Sequence, residues 1–432
     1  MSYKAIVCKI VNIQDHPNAD SLNIGLASGY QVVVSKDIEE ETLGIFFSSD
    51  GQLSHKMCHE NNLYRHTFNN KDPEAKAGFF EDNRRIRAIK LRGAKSEGFW
   101  TQLSVLEWTG ADLSKIKAGD TFSELNGKPI CKKYYTKATR SAIAKRNKGK
   151  TSKRSMLKAS FPDFKEHYST EKLRMMIQFL PKNVVLTITE KCHGTSGRTG
   201  YLKKKIKLNW FKKTWNKLFS TKYPEAEYKY VSGTRKVVID PDKSDKGYYK
   251  GTDFRNIVHG MFVKSGLKKG ETVYYEIVGY DDRGSLIMGT HGIKDKKLKK
   301  VYGDKMQYTY GCEPGEYKVL IYRITNTLED GTCYEMPYNQ MIIRAKELEI
   351  DIVPHLYGPF IYDDNQDALM SLCEKLSQGS STLDEKHIRE GVVVRVEAPG
   401  HDKGYKYKSF WFCELEGIKK NDDNYIDPED IV

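Results

Sequence analysis

Short bursts of alternating apolar and polar residues occupy the first part of the chain. Tyr3–Ile13, Leu22–Leu26, Tyr30–Val34, Gly44–Phe47 and Arg85–Leu91 carry this alternation, with turn-forming residues between them. A period of two sends one set of side chains to a core and the other to solvent, so these segments predict β-strands joined by turns. Beyond Phe161, strands are predicted at 184–190, 227–232, 272–278, 316–324 and 391–396. Three stretches switch to helical spacing: Thr170–Leu180, capped by Ser169 or Thr170, then Asn339–Leu348 and Asp367–Leu376. Between the halves, residues 127–158 carry Gly and Ser but little apolar content. The expected organisation is a β domain over 1–126, a basic linker over 127–158, and an α+β domain of mainly antiparallel sheets with flanking helices over 159–432.

Composition changes this picture through charge. The 432 residues carry a formal net charge of +14, and the excess is clustered. Eleven Lys/Arg and no acid lie between Lys132 and Lys158; eight lysines and no acid lie between Tyr201 and Lys222, interleaved with Trp210, Phe211, Trp215 and Phe219. A smaller cluster spans Lys294–Lys300. Lysines among aromatics suit a polyanion whose phosphates are neutralised while rings contact bases or sugars, so a nucleic-acid partner is expected. Phe211, Trp215 and Phe219 recur every fourth residue and predict a basic amphipathic helix that packs on the sheet or clamps RNA, with packing the expected use. Arg85-Ile86-Arg87-Ala88-Ile89-Lys90-Leu91-Arg92 offers a basic face that suits either a phosphate backbone or salt bridges to the second domain. No apolar run approaches the ~20 residues of a membrane span, no signal-peptide core follows Met1, and the eight cysteines include no C-x-x-C pair. A monomer with reduced thiols in a cytoplasmic compartment, away from membranes, is expected.

Candidate chemistry begins at Val184–Gly194, V-V-L-T-I-T-E-K-C-H-G, where a β-branched strand runs straight into Lys191. A lysine at a strand exit is ordinarily solvated and inert. Downstream stand Tyr274-Tyr275-Glu276-Ile277-Val278-Gly279, Ile321-Tyr322-Arg323-Ile324, Glu390-Gly391-Val392-Val393-Val394-Arg395 and Lys406-Tyr407-Lys408. In this order the segments resemble the sequential motifs of ATP-dependent RNA ligases, the nick-sealing branch of the covalent nucleotidyltransferase superfamily. The run His16-Pro17-Asn18-Ala19-Asp20-Ser21-Leu22 resembles the signature of OB-fold tRNA-binding modules, which points to the subgroup with an N-terminal OB domain. The likeness covers most of residues 1–415. It implies a five-stranded OB-type β-barrel followed by a nucleotidyltransferase (adenylylation) domain.

The resemblance also implies roles. Lys191 would attack the α-phosphorus of ATP, with Glu190 and Gly194 flanking it at the nucleotide. Glu390 would hold Mg2+ or Mn2+, Glu276 would meet the ribose or metal, and Tyr322 would stack on adenine. Arg235, in preference to Arg198, would grip a phosphate or ribose; Arg174 would stand near the ATP phosphates; Lys406 and Lys408 would hold the α-phosphate. The physics is compatible. A free lysine has a pKa near ~10.4 and becomes a nucleophile only when desolvated or crowded by cations. Period two sends Lys406 and Lys408 to one strand face. Glu390 opens a strand of valines, where a lone carboxylate calls for a divalent cation or for a salt bridge to Arg395 or a surface lysine.

His193 stands where DNA ligases and capping enzymes usually have Asp, and 24 residues follow Lys408, too few for the C-terminal OB domain and sixth motif of those enzymes. RNA joining is therefore expected over DNA ligation or capping, with a non-catalytic RNA-binding protein as the rival of another class. A Cys192 thiolate with His193 as base is disfavoured, because strand neighbours point opposite ways. His55, Cys58, His59 and His66 make a poor zinc set, because the adjacent Cys-His pair does not suit one tetrahedral site.

Overall fold

The computed structural model describes residues 3–148, 157–168, 170–220, 222–239, 252–398 and 403–426. Four N-terminal strands form where the alternation put them: β1 (Ala5–Asp15), β2 (Leu22–Ala27), β3 (Tyr30–Ser35) and β4 (Leu43–Ser48). With β5 (Gly98–Gln102) they make an antiparallel sheet in the order β3-β2-β1-β4-β5. The Glu97 amide donates to Gln31 O at 2.8 Å, returning the β5 edge to β3, so the sheet curls into a nearly closed barrel. Ile10, Val32, Phe46 and Trp100 fill one side of it. Ile45, Phe47, Met57 and Phe80 pack on the other, which is why β4 is apolar throughout instead of alternating.

Two expectations change here. Of Arg85–Leu91, only Ile89–Leu91 is strand, paired with Ala94–Ser96 across a tight turn; Arg92 sits there at φ 45°. The basic linker is largely built into the fold. Cys131–Lys133 pairs with Gly51–Leu53, and α1 (Lys137–Lys148) follows. A few buried residues, Ile130, Cys131 and Tyr134, suffice to anchor it. Residues 149–156 of that stretch, and the alternative cap Ser169, lie outside the described residues.

The second half holds two sheets. The first contains β6 (Glu171–Lys172), β7 (Val184–Lys191), β14 (His355–Tyr362), β15 (Gly391–Val396) and β16 (Gly404–Lys408), in the order β6-β16-β15-β7-β14. The second contains β8 (Thr195–Lys205), β9 (Ala226–Gly233), β10 (Val238–Ile239), β11 (Glu271–Gly279), β12 (Tyr317–Thr327) and β13 (Cys333–Glu335), in the order β10-β9-β8-β11-β12-β13. All these pairings are antiparallel except β6 with β16. That parallel pair replaces the start of the helix expected over Thr170–Leu180: helix begins only at Leu173, because Glu171 and Lys172 satisfy their backbone on β16.

Helices cover the outer faces. α2 (Trp210–Leu218) lies in the β8–β9 connection. α3 (Phe254–Ser265) and α4 (Tyr338–Glu347) bury Phe254, Phe262, Met341 and Ala345 against the second sheet. α5 (Gln366–Ser377) buries Leu369 and Cys373 against the first, and α6 (Phe410–Lys419) closes the end near β16. The expected packing of the basic amphipathic helix on the sheet does not occur. No residue of α2 is buried, and Trp210 and Leu218 are 78% and 71% exposed. Among the described residues, no helix is long and apolar enough to cross a membrane.

Candidate active site

A pocket opens between the two sheets where the chain crosses from one to the other, through Cys192, His193 and Gly194. Thr189, Lys191, Val393, Arg395 and Lys406 line it from the first sheet; Ser196, Glu276 and Tyr322 line it from the second; His167, Tyr168 and Arg235 come from the connections. Strand register explains the first wall. Thr189, Val393 and Lys406 stand directly across from one another on β7, β15 and β16, and so do Lys191, Gly391 and Lys408. Residues in register share a face.

Two glycines make the crossing possible. A Cβ on Gly194 would lie 2.4 Å from the backbone oxygen of Ile277, so only glycine lets the chain turn against β11. Gly391 stands between Lys191 and Lys408, and a Cβ there would meet Tyr407 O at 2.1 Å. The missing side chain leaves the two lysines free to converge.

They converge on Glu390. Its carboxylate is fully buried, with Lys191 Nζ 2.7 Å and Lys408 Nζ 3.1 Å from Oε1 and His193 Nδ1 3.7 Å from Oε2. Lys408 does not line the pocket; it stands behind Glu390 and continues to Glu416 at 3.2 Å. Glu416 pairs with Lys420 at 2.9 Å, and Lys420 reaches Asp50 of the first module at 3.6 Å. Charges thus alternate from Lys191 to the N-terminal barrel. Burial opposes ionisation of Glu416, but Lys408 and Lys420 outweigh it and hold the carboxyl well below its usual range.

Tyr322 occupies a β-bulge. Tyr274 pairs with Arg323 and Tyr275 with Ile321, leaving Tyr322 as the extra residue with its ring on the pocket wall. The His167 ring stands over it edge-on at 4.9 Å. Burial, then the nearby Arg323 and Arg235 charges, push the His167 pKa well below the ordinary histidine value, so this ring is neutral. Glu276 accepts a hydrogen bond from Ser196 at 3.1 Å. Arg235 is on the pocket wall, whereas Arg198 is buried against Phe164 with its guanidinium 4.3 Å from that ring.

Lys408 is thus off the pocket wall where the α-phosphate was expected, and two more nucleotide candidates are engaged elsewhere. Glu190 borders the pocket, but its carboxylate is engaged elsewhere: it accepts from Ser381 Oγ, from Thr382 N (3.0 Å) and Oγ1 (2.8 Å), and from Arg389 Nε (3.3 Å), pinning the loop that leads into Glu390. Arg174 is not among the pocket's lining residues. It pairs with Glu97 at 2.8 Å and lies between the Tyr30 and Tyr407 rings, joining the two modules. A buried lysine-flanked carboxylate also disposes of the Glu390–Arg395 pair, since Arg395 binds Glu335 (3.1 Å) and Glu397 (3.2 Å) instead. Cys192 is buried beside Val278 and Tyr310, and burial raises its thiol well above the usual range, so it is no thiolate. The neighbouring His193 amide donates to the Tyr310 hydroxyl.

Sequence reasoning passed over His167, Tyr168, Glu416 and Lys420. None stands in a patterned motif; only Glu416, an acid on an otherwise apolar face of α6, left a trace. In the first module, His55, His59 and His66 each bond elsewhere, to Tyr64, Asn69 O and Asp82.

The site suits a divalent cation in one respect. Both Glu390 oxygens are buried and ringed by Lys191, Lys408 and His193, and Glu390 stands behind the pocket's lining residues, so a hard cation held there would take the place of the paired ammonium groups. Among the described residues no three His, Cys, Asp or Glu form a cage, so the remaining ligands would be water and phosphate, as in Mg2+-type sites.

No family model and no curated protein matches the chain. Solved structures do. A Naegleria gruberi RNA ligase mutant with ATP and Mn aligns at TM-score 0.59 and 14% identity, covering 95% of this chain and 98% of that chain. An apo mutant aligns at TM-score 0.58 and 15% identity, covering 96% and 98%. A structure of that ligase with PPi aligns at 0.56 and 16%, covering 95% and 97%. The shared fold runs through almost the whole of both chains.

Proposed function

We propose that this chain is an ATP-dependent RNA ligase that joins 3′-hydroxyl and 5′-phosphate ends at nicks through lysyl-AMP and adenylylated RNA. The observation that carries the reading is Lys191 in a pocket between two sheets, 2.7 Å from a buried Glu390, on a fold shared with RNA ligase structures holding ATP, Mn or PPi. Support for an OB-type first module comes from the curled five-strand order; its boundary is better drawn near 134 than 126, because Cys131–Lys133 pairs with Gly51–Leu53 whereas Thr136 and Ala138 bond Tyr425 and Asp423. The remainder, from 159, is the adenylylation domain.

In the first step the Lys191 amine attacks the α-phosphorus of ATP; an N–P bond forms, and the P–O bond to pyrophosphate breaks. Glu390 stabilises the Lys191 ammonium in the resting pocket, while Lys406 and Lys408 oppose it. Nucleophilicity therefore rises when the Glu390 charge is engaged elsewhere and the cations remain. Glu390 would hold the divalent cation, which when bound supplies neutralising charge at the phosphates. Lys406, on the pocket wall beside Lys191, stabilises charge on the α-phosphate. Tyr322 offers a face to the adenine, with His167 bracing its ring; Glu276 and Arg235 meet the ribose and phosphates. AMP then passes from Lys191 to the RNA 5′-phosphate, and the 3′-hydroxyl attacks that phosphorus with AMP leaving.

Incubation with α-labelled ATP and Mg2+ or Mn2+ tests this. An acid-stable, hydroxylamine-labile label is expected on the chain. Its absence, or its survival in Lys191→Ala, overturns the reading.

A further inference from the structure

The β8–β9 connection has no part in the pocket, yet it is built. Ile206 N donates to Glu225 O at 2.8 Å, continuing the ladder past Lys205 and Ala226. Asn209 caps α2 by accepting from Lys212 N at 3.0 Å, and the Asn216 side chain closes the return by bonding Tyr223 O (2.9 Å) and N (2.7 Å). Trp215 stacks on Phe219 at 4.1 Å. This ordered tip leaves Trp210, Phe211 and Leu218 exposed at 78%, 57% and 71%, an apolar patch of the kind that marks an interaction surface.

Charge identifies the partner. From Tyr201 to Lys222 there are eight lysines and no acid. Lys204, Lys205 and Lys207 carry that charge down the stem toward the sheet, with Lys203 paired to Glu329 and Glu227 standing across from Lys204, while Lys212, Lys213 and Lys217 lie on the helix. On β8, Ser196 at the pocket and Lys204 near the tip fall on one face, which between them is covered where Arg198 and Leu202 are buried against Phe164. Ten residue rises at ~3.3 Å separate Thr195 from Lys205, roughly 33 Å. A turn of A-form RNA is shorter than the about 34–36 Å of B-form DNA, and this span exceeds one RNA turn by a little.

We propose that residues 206–220 form an arm that grips the RNA duplex about one helical turn from the nick, lysines on phosphates and exposed rings on the sugars and terminal bases. The proposal rests on the ligase reading for the position of the nick. A bilayer would touch the tip alone, whereas a duplex crossing the pocket runs along the basic stem, and the stem is where half of the lysines are.

Two variants of the full chain test it: Trp210→Ser with Phe211→Ser and Leu218→Ser, and Lys212→Ala with Lys213→Ala and Lys217→Ala. Both should label with ATP at the wild-type rate and bind a nicked RNA duplex with long arms at least tenfold more weakly. The lysine variant should also show a shallower salt dependence, by about 2–3 in the slope of log K against log salt. With only ~6 base pairs on each side of the nick, wild type and variants should bind alike, since the arm lies about one turn away. Equal affinities on the long duplex overturn the proposal. Wild-type binding to vesicles of anionic phospholipid that the serine variant loses, with RNA affinity intact, overturns it in favour of a membrane surface. A wild type that binds RNA through the arm but takes no label from ATP would instead sink the ligase reading.

Discussion

Two short histidine-bearing signatures stand out in the chain, His16-Pro17-Asn18-Ala19-Asp20 in the first module and Lys191-Cys192-His193-Gly194 in the second, and the fold uses them in opposite ways. His16 is buried; its Nε2 donates to Leu91 O at 3.0 Å and its Nδ1 accepts from Asn18 N at 3.1 Å. Asn18 in turn donates to Arg92 O at 2.9 Å. Those polar atoms all pin the 91–92 turn, so the signature acts as a staple. The basic residues beside it are likewise directed inward. Arg85 donates to Gly417 O at 2.8 Å, and Lys90 pairs with Asp295 at 2.6 Å and lies 4.0 Å over the Trp411 ring. Of the four cations on that stretch, Arg85 and Lys90 thus bond to residues of the C-terminal half, and Arg92 is exposed. At the second signature Lys191 stands on the pocket wall, paired with Glu390 at 2.7 Å, while the His193 amide bonds the Tyr310 hydroxyl. What separates a staple from a site is whether an engaged polar group also borders a cavity.

The comparison can be broken by experiment, and the largest effect belongs to the second signature. Lys191→Ala should abolish the covalent label from ATP, a loss beyond a thousandfold if the amine is the nucleophile; His16→Ala should leave the label in place.

Next comes the charge chain behind Glu390. Glu416→Gln removes the carboxylate that Lys408 and Lys420 share but leaves each its other partner, Glu390 and Asp50, and urea unfolding should show a loss of about 1–3 kcal/mol. The pH sign follows from the depressed folded-state pKa. The carboxylate contributes fully above its unfolded value of ~4.3, and that contribution fades as pH falls toward the folded value. The gap between wild type and Glu416→Gln should therefore hold at pH 5 and narrow only in stronger acid.

His16→Ala should lower stability by about 1–3 kcal/mol in thermal unfolding, through buried groups left without partners. RNA affinity should not move. Weakened RNA binding with unchanged stability would make this signature a site after all. The smallest effect is expected at Cys192→Ser, which should keep ATP labelling because the thiol is protonated and faces the core.

Much of the fold was legible because its signals are local. Alternation located β1 to β3, and runs of apolar and β-branched residues located β4, β7, β11 and β15, to within two residues at each end. Lys191, Glu276, Tyr322, Arg235 and Lys406 were nominated from motif order, and the structure brings them to one pocket. Glu190 and Arg174 were nominated by the same route and face other partners. Residue type and spacing record that a carboxylate or guanidinium is present, but not which of several neighbours it meets.

By itself the sequence located many of the strands, the lysine at a strand exit and the glycine that must follow it, since propensity and period two act over a few residues; it missed β5, β8 and β14. Tertiary structure alone decided that Lys191 and Lys408 meet across Gly391 on Glu390, that Tyr322 bulges toward His167, and that Glu416 and Lys420 carry charge through to Asp50. Those contacts depend on register between strands some two hundred residues apart. It also decided that α2 stands exposed. An amphipathic pattern tells which face of a helix is apolar, not whether the fold supplies anything to cover it.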